Sequence, residues 1–163
     1  EMWDSFYEFY LTTVDKKWGG AYLNREFFYL INSKMKDKIL LIIAKQNDKS
    51  IAGALNFIGQ NTLDVRNWGA IVDIPFLHFE LCYYQAIEYA INHKMGKVEA
   101  GAQGNHKIQR GYLASPIYSR HFIQNKSFSE AIRKFVQLEE KEIDRQIEFV
   151  NQHNTPYSSN ELC

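Results

Sequence analysis

Three apolar segments separated by two short polar turns most strongly constrain how this chain can fold. Residues 38–45 are rich in Ile and Leu, residues 51–58 resume the apolar run, and residues 62–68 follow a second turn. The turns are Asn47-Asp48 and Gly59-Gln60-Asn61, which are residue types that favour chain reversal. Because such short connections can join only antiparallel neighbours, the pattern predicts a three-stranded antiparallel meander.

Helical periodicity precedes the meander. Ser5 and Glu8 have the spacing of a capping box, Gly19-Gly20 ends the first helix, and Asn24 is placed to cap a second one. The apolar residues that recur at helical intervals in the first segment are Trp3, Phe6, Tyr7, Tyr10 and Val14. In the second segment they are Phe27, Phe28, Ile31 and Met35. We therefore expect two helices before the sheet.

A helix and a further strand follow the meander. Residues 78–93 come shortly after Pro75 and are apolar almost throughout, which predicts a central helix that ends near Gly96. Residues 98–102 read as a short strand. Since a helix connects this strand to the meander, we expect a parallel crossover.

The last third of the sequence predicts one more strand and one more helix. Residues 117–123 are read as the strand, and residues 128–150 show apolar spacing typical of an amphipathic helix with a solvated face. The chain is therefore interpreted as one mixed α/β domain over residues 1–150, followed by an irregular tail, residues 151–163.

Composition narrows the class of protein. The chain has 19 basic and 19 acidic residues, so its charges cancel and a surface that binds DNA or another polyanion without specificity is not expected. Cys82 and Cys163 form no disulfide framework, which favours a reducing compartment. No apolar stretch is long enough to predict a membrane span, and no signal peptide is visible, so we expect a cytoplasmic protein. The start at Glu1 favours a domain cut from a longer chain.

Local charge concentrates in a glycine-bearing stretch, residues 99–112. Lys107 and Arg110 lie within it and offer donors to phosphate or carboxylate, while its glycines let the backbone approach a ligand closely. Residues 94–120 contain five Lys or Arg and one acid. The stretch is either a ligand site or a surface loop with ordinary lysines, and its composition alone leaves both open.

Glu99 interrupts the predicted crossover strand. A buried strand of this kind is normally apolar, so the carboxylate must be paired, have a raised pKa or face a cleft. The functional interpretation is a general base. The structural alternative is an ion pair with Arg110 or Lys107.

Three polar side chains lie near the start of the helix that follows Pro75. His78 and Cys82 are four residues apart and share one helix face, so they could be two metal ligands or a thiol and its base. No second pair with matching spacing supports a metal, and a cysteine among apolar residues is more often part of a core. Glu80 is either a second candidate base or a carboxylate favoured by the helix dipole.

Several motifs together resemble one protein family. They are Phe9-Tyr10-x-x-Thr13, Lys17-Trp18-Gly19-Gly20, Ala52-Gly-Ala-Leu-Asn56, His78-Phe-Glu-Leu-Cys-Tyr-Tyr-Gln-Ala-Ile-Glu-Tyr-Ala90, Glu99-Ala-Gly-Ala-Gln-Gly-x-His-Lys107 and Arg110-Gly-Tyr112. The chain resembles the FemAB-like predicted N-acyltransferases, also called peptidoglycan biosynthesis/recognition proteins. The resemblance covers residues 7–147. It implies a bacterial protein with a preceding region of about equal size.

The resemblance implies the acyl-CoA N-acyltransferase (GNAT) fold and transfer of an acyl or aminoacyl group to an amine. The donor would be a CoA thioester or an aminoacyl-tRNA, used as a co-substrate with no tightly bound cofactor or metal. The acceptor amine could belong to a peptidoglycan precursor. In this fold the sheet opens between the strands at residues 62–68 and 98–102. Residues 69–78 lack the pyrophosphate-binding pattern of acetyl-CoA-dependent members, which leaves aminoacyl-tRNA open as the donor.

Under this interpretation each candidate residue has an expected role. The expected general base is Glu99, with Glu80 as the alternative, and Tyr112 is the expected acid for the leaving group. The expected binding residues are Lys107 and Arg110 for phosphate, Gln103 and His106 for the acceptor, and the backbone near Gly69 for the developing oxyanion. Two rival interpretations are a non-catalytic module that recognises a cell-wall precursor or RNA, and a cysteine hydrolase built on Cys82 and His78.

Overall fold

The computed structural model describes residues 1–15, 20–101, 105–153 and 156, and it divides the chain into two compact units, Glu1–Gly101 and Ala102–Cys163. The single domain over residues 1–150 stays a prediction. In the first unit the elements are α1 (Met2–Asp15), α2 (Arg25–Lys34), a 3-10 turn (Lys36–Lys38), β1 (Ile39–Gln46), β2 (Lys49–Ile58), β3 (Thr62–Ala70), the helical segment α3 (residues 77–92), and β4 (Lys97–Glu99).

The four strands form one mixed sheet in the order β1-β2-β3-β4. The predicted meander is confirmed, because β1 pairs antiparallel with β2 and β2 pairs antiparallel with β3. Asn47 and Asp48 both adopt positive φ angles, as a two-residue hairpin turn requires. The predicted parallel crossover is also confirmed, but β4 is only three residues long and pairs with residues 62–64 of β3.

Helices cover both faces of this sheet. Leu55 of β2 belongs to a buried cluster that α1 and α2 supply on one face; its other members are Phe6, Phe9, Tyr10, Phe28 and Ile31. On the opposite face the ring of Trp68 in β3 lies 4.8 Å from the ring of His78 in α3. Trp68 pairs with Ala54, whose side chain alternates with that of Leu55, so α3 packs on the second face.

The helix starts were predicted with mixed success. The Oδ1 atom of Asn24 accepts a hydrogen bond from the Phe27 backbone N–H at 2.9 Å, which confirms the cap of α2. The capping box at Ser5 is wrong, because α1 already begins at Met2 and the Ser5 hydroxyl donates to the Glu1 carbonyl inside the first turn. The aromatic residues of α1 start before Ser5. Packing of Trp3 and Phe6 therefore extends the helix toward its N-terminus, beyond the capping box expected at Ser5.

The segment α3 consists of three consecutive helical stretches: α-helical Leu77–Phe79, π-helical Glu80–Tyr84 and α-helical Gln85–Asn92. It confirms the helix predicted for residues 78–93. Its buried side chains are Leu81, Cys82, Tyr83, Ala86 and Ala90. The π turn adds a residue to one turn of the helix, a feature that periodicity alone does not reveal.

The second unit contains a 3-10 helix, Asn105–Arg110, and a 28-residue helix, α4 (Lys126–His153). The final predicted helix is therefore confirmed. The strand predicted over residues 117–123 is wrong, since these residues have no secondary structure and Ile117, Tyr118 and Phe122 are exposed. Their apolar residues do not alternate, and no described strand pairs with their backbone groups.

Candidate functional site

β4 pairs with only the beginning of β3 and ends at Glu99. The parallel register joins Thr62 to Lys97, Leu63 to Val98 and Asp64 to Glu99, and it ends there. β3 continues for six more residues, through Ala70, paired with β2 alone among the described strands. The edge of β3 beyond Asp64 is therefore the point where the described sheet opens, and Glu99 lies at its start.

Glu99 is exposed instead of buried, which corrects the expectation for the crossover strand. Its side chain is 46% exposed and forms an ion pair with Lys97, with 2.5 Å between Nζ and Oε1. The partner is thus the lysine two residues earlier on the same strand face. A residue on a three-residue edge strand keeps access to water, whereas the sequence argument assumed a strand enclosed on both faces.

Asp64 is the functional candidate that sequence reasoning missed. It lies opposite Glu99 in the register, on the sheet face that α1 and α2 cover, since it also pairs with Phe57, which packs against the buried cluster on that face. Partial burial, and secondarily the negative charge of Glu99, raise the pKa of the Asp64 carboxyl, while Lys97 lowers it. Only the register between β3 and β4 brings the two carboxylates together, and no spacing in the sequence signals it.

Gly69 is required by close packing between α1 and β3. A Cβ atom built on Gly69 would lie within 1.8 Å, well inside contact distance, of the Phe9 carbonyl oxygen of α1. Gly69 pairs regularly with Gly53 of β2, and the irregularity in this ladder lies between Leu55 and Asn56. Gly69 therefore lets the backbone of α1 contact the sheet directly.

The backbone direction at the end of β3 follows from the register. The Ile71 N–H points toward β2, because it donates to the Ile51 carbonyl. Since N–H groups alternate in direction along an antiparallel strand, every second residue before Ile71 also directs its N–H toward β2. Gly69 shares this orientation. Trp68 and Ala70 direct their N–H groups the other way, toward the edge of β3 that β4 covers only as far as Asp64. The Ala70 carbonyl on that side accepts a hydrogen bond from the Thr12 hydroxyl at 2.9 Å.

The candidates on α3 occupy the other face of the sheet from Glu99. Glu80 is exposed and accepts a hydrogen bond from the Gln85 amide at 2.8 Å. The ring of His78 packs on Trp68 and also lies 5.3 Å from the ring of Tyr83. Cys82 is 3% exposed, as expected for a core cysteine. In the described part of the chain, no group of three His, Cys, Asp or Glu residues could hold a metal ion.

The basic candidates belong to the second unit. His106, Lys107 and Arg110 lie on the 3-10 helix and are half-buried, and the Arg110 guanidinium donates to the His106 carbonyl at 2.6 Å. Tyr112 follows this helix, and its backbone N–H donates to the Lys107 carbonyl. Asn105–Arg110, within the predicted glycine-bearing stretch, is therefore helical. Gln103 lies outside the described residues.

A family model described as FemAB-like, peptidoglycan biosynthesis/recognition, matches residues 1–159. The chain belongs to the FemAB-like family. The resemblance seen in the sequence motifs is therefore confirmed over nearly the whole chain. No curated protein matches it closely enough to add a relative.

Membership in the FemAB-like family connects this chain to peptidoglycan biosynthesis or recognition. The observed mixed α/β architecture, with a four-stranded mixed sheet and flanking helices, agrees with the fold class expected from the sequence. Among the residues that the structure describes, no helix combines the length and the apolar character needed to cross a membrane.

Proposed function

We propose that this FemAB-like protein is an N-acyltransferase that moves an acyl or aminoacyl group onto an amine, with a peptidoglycan precursor as the acceptor class. The observation that carries the proposal is the end of pairing between β3 and β4 at Asp64 and Glu99, beyond which β3 continues to Ala70 with no described strand on that side. It leaves a strand edge with outward N–H groups on one side and a carboxylate at its start. An activated carbonyl and an amine require these two kinds of group.

The proposed reaction is direct attack of the amine on the carbonyl carbon of the donor. A C–N bond forms, and the bond from the carbonyl carbon to the sulfur or oxygen of the leaving group breaks. The ammonium form of the acceptor loses a proton to Glu99, directly or through water. The outward N–H group of Trp68 or that of Ala70, on either side of Gly69, would stabilise the oxyanion, since two N–H groups about 6.6 Å apart on a strand cannot both reach one oxygen. Tyr112 would return a proton to the leaving group.

The burial of Cys82 supports direct transfer over a covalent intermediate. A nucleophilic thiol must be accessible to the donor and partly ionised, and Cys82 lies in the core. The cysteine hydrolase considered from the sequence is therefore the weaker interpretation. Glu80 remains the alternative base, since it is exposed on α3.

The proposed donor carries phosphate. Lys107 and Arg110 can bind the phosphates of either a CoA thioester or an aminoacyl-tRNA, and Gln103 and His106 would orient the acceptor. The succession of two helices, an antiparallel meander, a helix and a parallel strand supports the GNAT fold, although the final strand also expected for it is not formed by residues 117–123. The cytoplasmic location and a preceding domain also remain proposals.

A second candidate function is recognition of a cell-wall precursor or RNA without chemistry. The ion pair between Lys97 and Glu99 favours it, because a carboxylate that stays paired is less available to accept a proton. The family description includes recognition as well as biosynthesis. The two functions predict the same ligands and differ only in turnover.

The deciding experiment combines binding with transfer. Thermal shift against acyl-CoA esters, aminoacyl-tRNA and muropeptide precursors identifies ligands, and mass spectrometry of the mixed substrates detects the N-acylated product. An N-acylated precursor supports the transferase, whereas binding of both substrates without product supports the recognition module. Reversing the charges of Lys107 and Arg110 should weaken donor binding; unchanged donor binding would remove the 3-10 helix from the site.

A further inference from the structure

Asp64 and Glu99 form a pair of neighbouring carboxyl groups at the start of the sheet opening. We infer that Asp64 is a positioning residue that acts through its register partner Glu99, and that Lys97, which contacts Glu99 from the same strand, opposes the effect of the Asp64 charge. The inference rests on the proposed function, and it assigns a task to a residue that the sequence motifs did not single out. It explains how the charges of Asp64 and Lys97 influence Glu99, the proposed base.

The geometry places the three groups on one face of the sheet. Asp64 and Glu99 are direct partners in the parallel register, and neighbouring strands lie about 4.8 Å apart. Lys97 precedes Glu99 by two residues on the same face and contacts its carboxylate. The side chains are therefore close enough for like-charge repulsion and for attraction to the ammonium group.

The surroundings differ on the two sides of the pair. Asp64 is half-buried opposite Phe57, whereas Glu99 and Lys97 are each about half exposed. The charged groups that act on Asp64 are Glu99, which raises its pKa, and Lys97, which lowers it; burial raises it most. Asp64 thus faces one like charge and one opposite charge, both from β4.

The consequence for proton transfer has a definite sign. When both carboxyls are ionised, taking up one proton removes their mutual repulsion, so the pair is a better acceptor than one isolated carboxylate. Removing the Asp64 charge weakens this acceptor, while removing the Lys97 charge strengthens it. If Asp64 and Lys97 had purely structural roles, removing their charges would not produce opposite effects on proton transfer.

The first test follows the acidic limb of the pH–rate profile. Asp64→Asn should move the limb to lower pH and lower the rate at neutral pH about tenfold, less than the roughly 10²–10⁴-fold loss expected when a base is removed. Lys97→Met should move the limb to higher pH. Asp73→Asn and Lys45→Met remove exposed charges outside the pair and serve as matched controls.

The second test does not depend on turnover. Carboxyl NMR should show Asp64 titrating at a lower pH in Glu99→Gln and at a higher pH in Lys97→Met than in the unmodified protein. Suppose that the protein is active, but neither change moves the Asp64 titration or the acidic limb of the pH–rate profile stays fixed. Such a result refutes the interaction between Asp64 and Glu99 and leaves the proposed transferase function intact. A protein that transfers no acyl group, although Asp64 responds to Glu99, overturns the proposed function and with it the catalytic use of the pair.

Discussion

Asp64 and Glu99 are partners at the last paired position between β3 and β4, and β3 continues beyond them with no described strand on that side. A parallel ladder of three residue pairs adds little stability by itself, and an acidic pair at its end opposes further pairing. Two carboxylates therefore mark the boundary between closed sheet and open edge. Folding tolerates them there because Lys97 offsets part of the repulsion and Glu99 remains in contact with water.

The raised pKa of Asp64 makes stability depend on pH. Below the ordinary carboxyl value of 3.8 both folded and unfolded chains hold the proton, whereas above it the unfolded chain releases the proton first. Stability attributable to Asp64 therefore falls as pH rises through the window between 3.8 and the raised value. In thermal melts, the stability of Asp64→Asn relative to the unmodified protein should increase as pH rises across this window. The relative stability of Asp73→Asn should not change. A constant difference at all pH values would contradict the raised pKa.

Direct contact between α1 and Gly69 predicts a severe packing defect. Gly69→Ala forces the Phe9 backbone to move, because the added Cβ overlaps backbone atoms that cannot rotate away. We expect a loss of about 3 kcal/mol or more in the free energy of unfolding, the upper end for overpacking. Gly20→Ala is the control, since nothing lies within 4 Å of its added Cβ, and it should change stability by less than about 0.5 kcal/mol. Equal stabilities in denaturant titration would refute the contact.

The buried thiol of Cys82 predicts resistance to modification. In a Cys163→Ser background, a thiol reagent should leave the folded protein unmodified and should react with Cys82 once denaturant is added, because only 3% of this residue is exposed. Cys82→Ala should retain acyl transfer. Rapid native labelling, or loss of transfer in a stable Cys82→Ala protein, would revive a nucleophilic role for the cysteine.

Much of the fold could be predicted because local signals and tertiary packing agree there. The meander, the Asn24 cap and the parallel crossover follow from turn residues, capping chemistry and the position of one helix between two strands. The strand predicted over residues 117–123 was wrong because apolar residues without alternation do not specify a sheet face.

The candidate site was less predictable, because pairing between distant segments determines it. Glu99 stood out as a charge in an apolar segment, yet its exposure and its Lys97 partner depend on how short β4 is. Asp64 gave no signal, since a polar residue in a meander strand is ordinary. Gly69 was singled out for its backbone near the expected oxyanion, whereas its lack of a side chain is what allows the contact with α1.

Glu99→Gln gives the most direct test of the account. Glu99 and Lys97 are about half exposed, so loss of their ion pair should cost no more than about 1 kcal/mol of stability. Glu88→Gln, an exposed carboxylate on α3 that also accepts from Gln85, is the matched control. The measurement is single-turnover acyl transfer with bound donor and acceptor. The account predicts a folded Glu99→Gln protein that binds both substrates and transfers roughly 10²–10⁴ times more slowly, with Glu88→Gln unaffected. A stable Glu99→Gln protein with full transfer rate would contradict it.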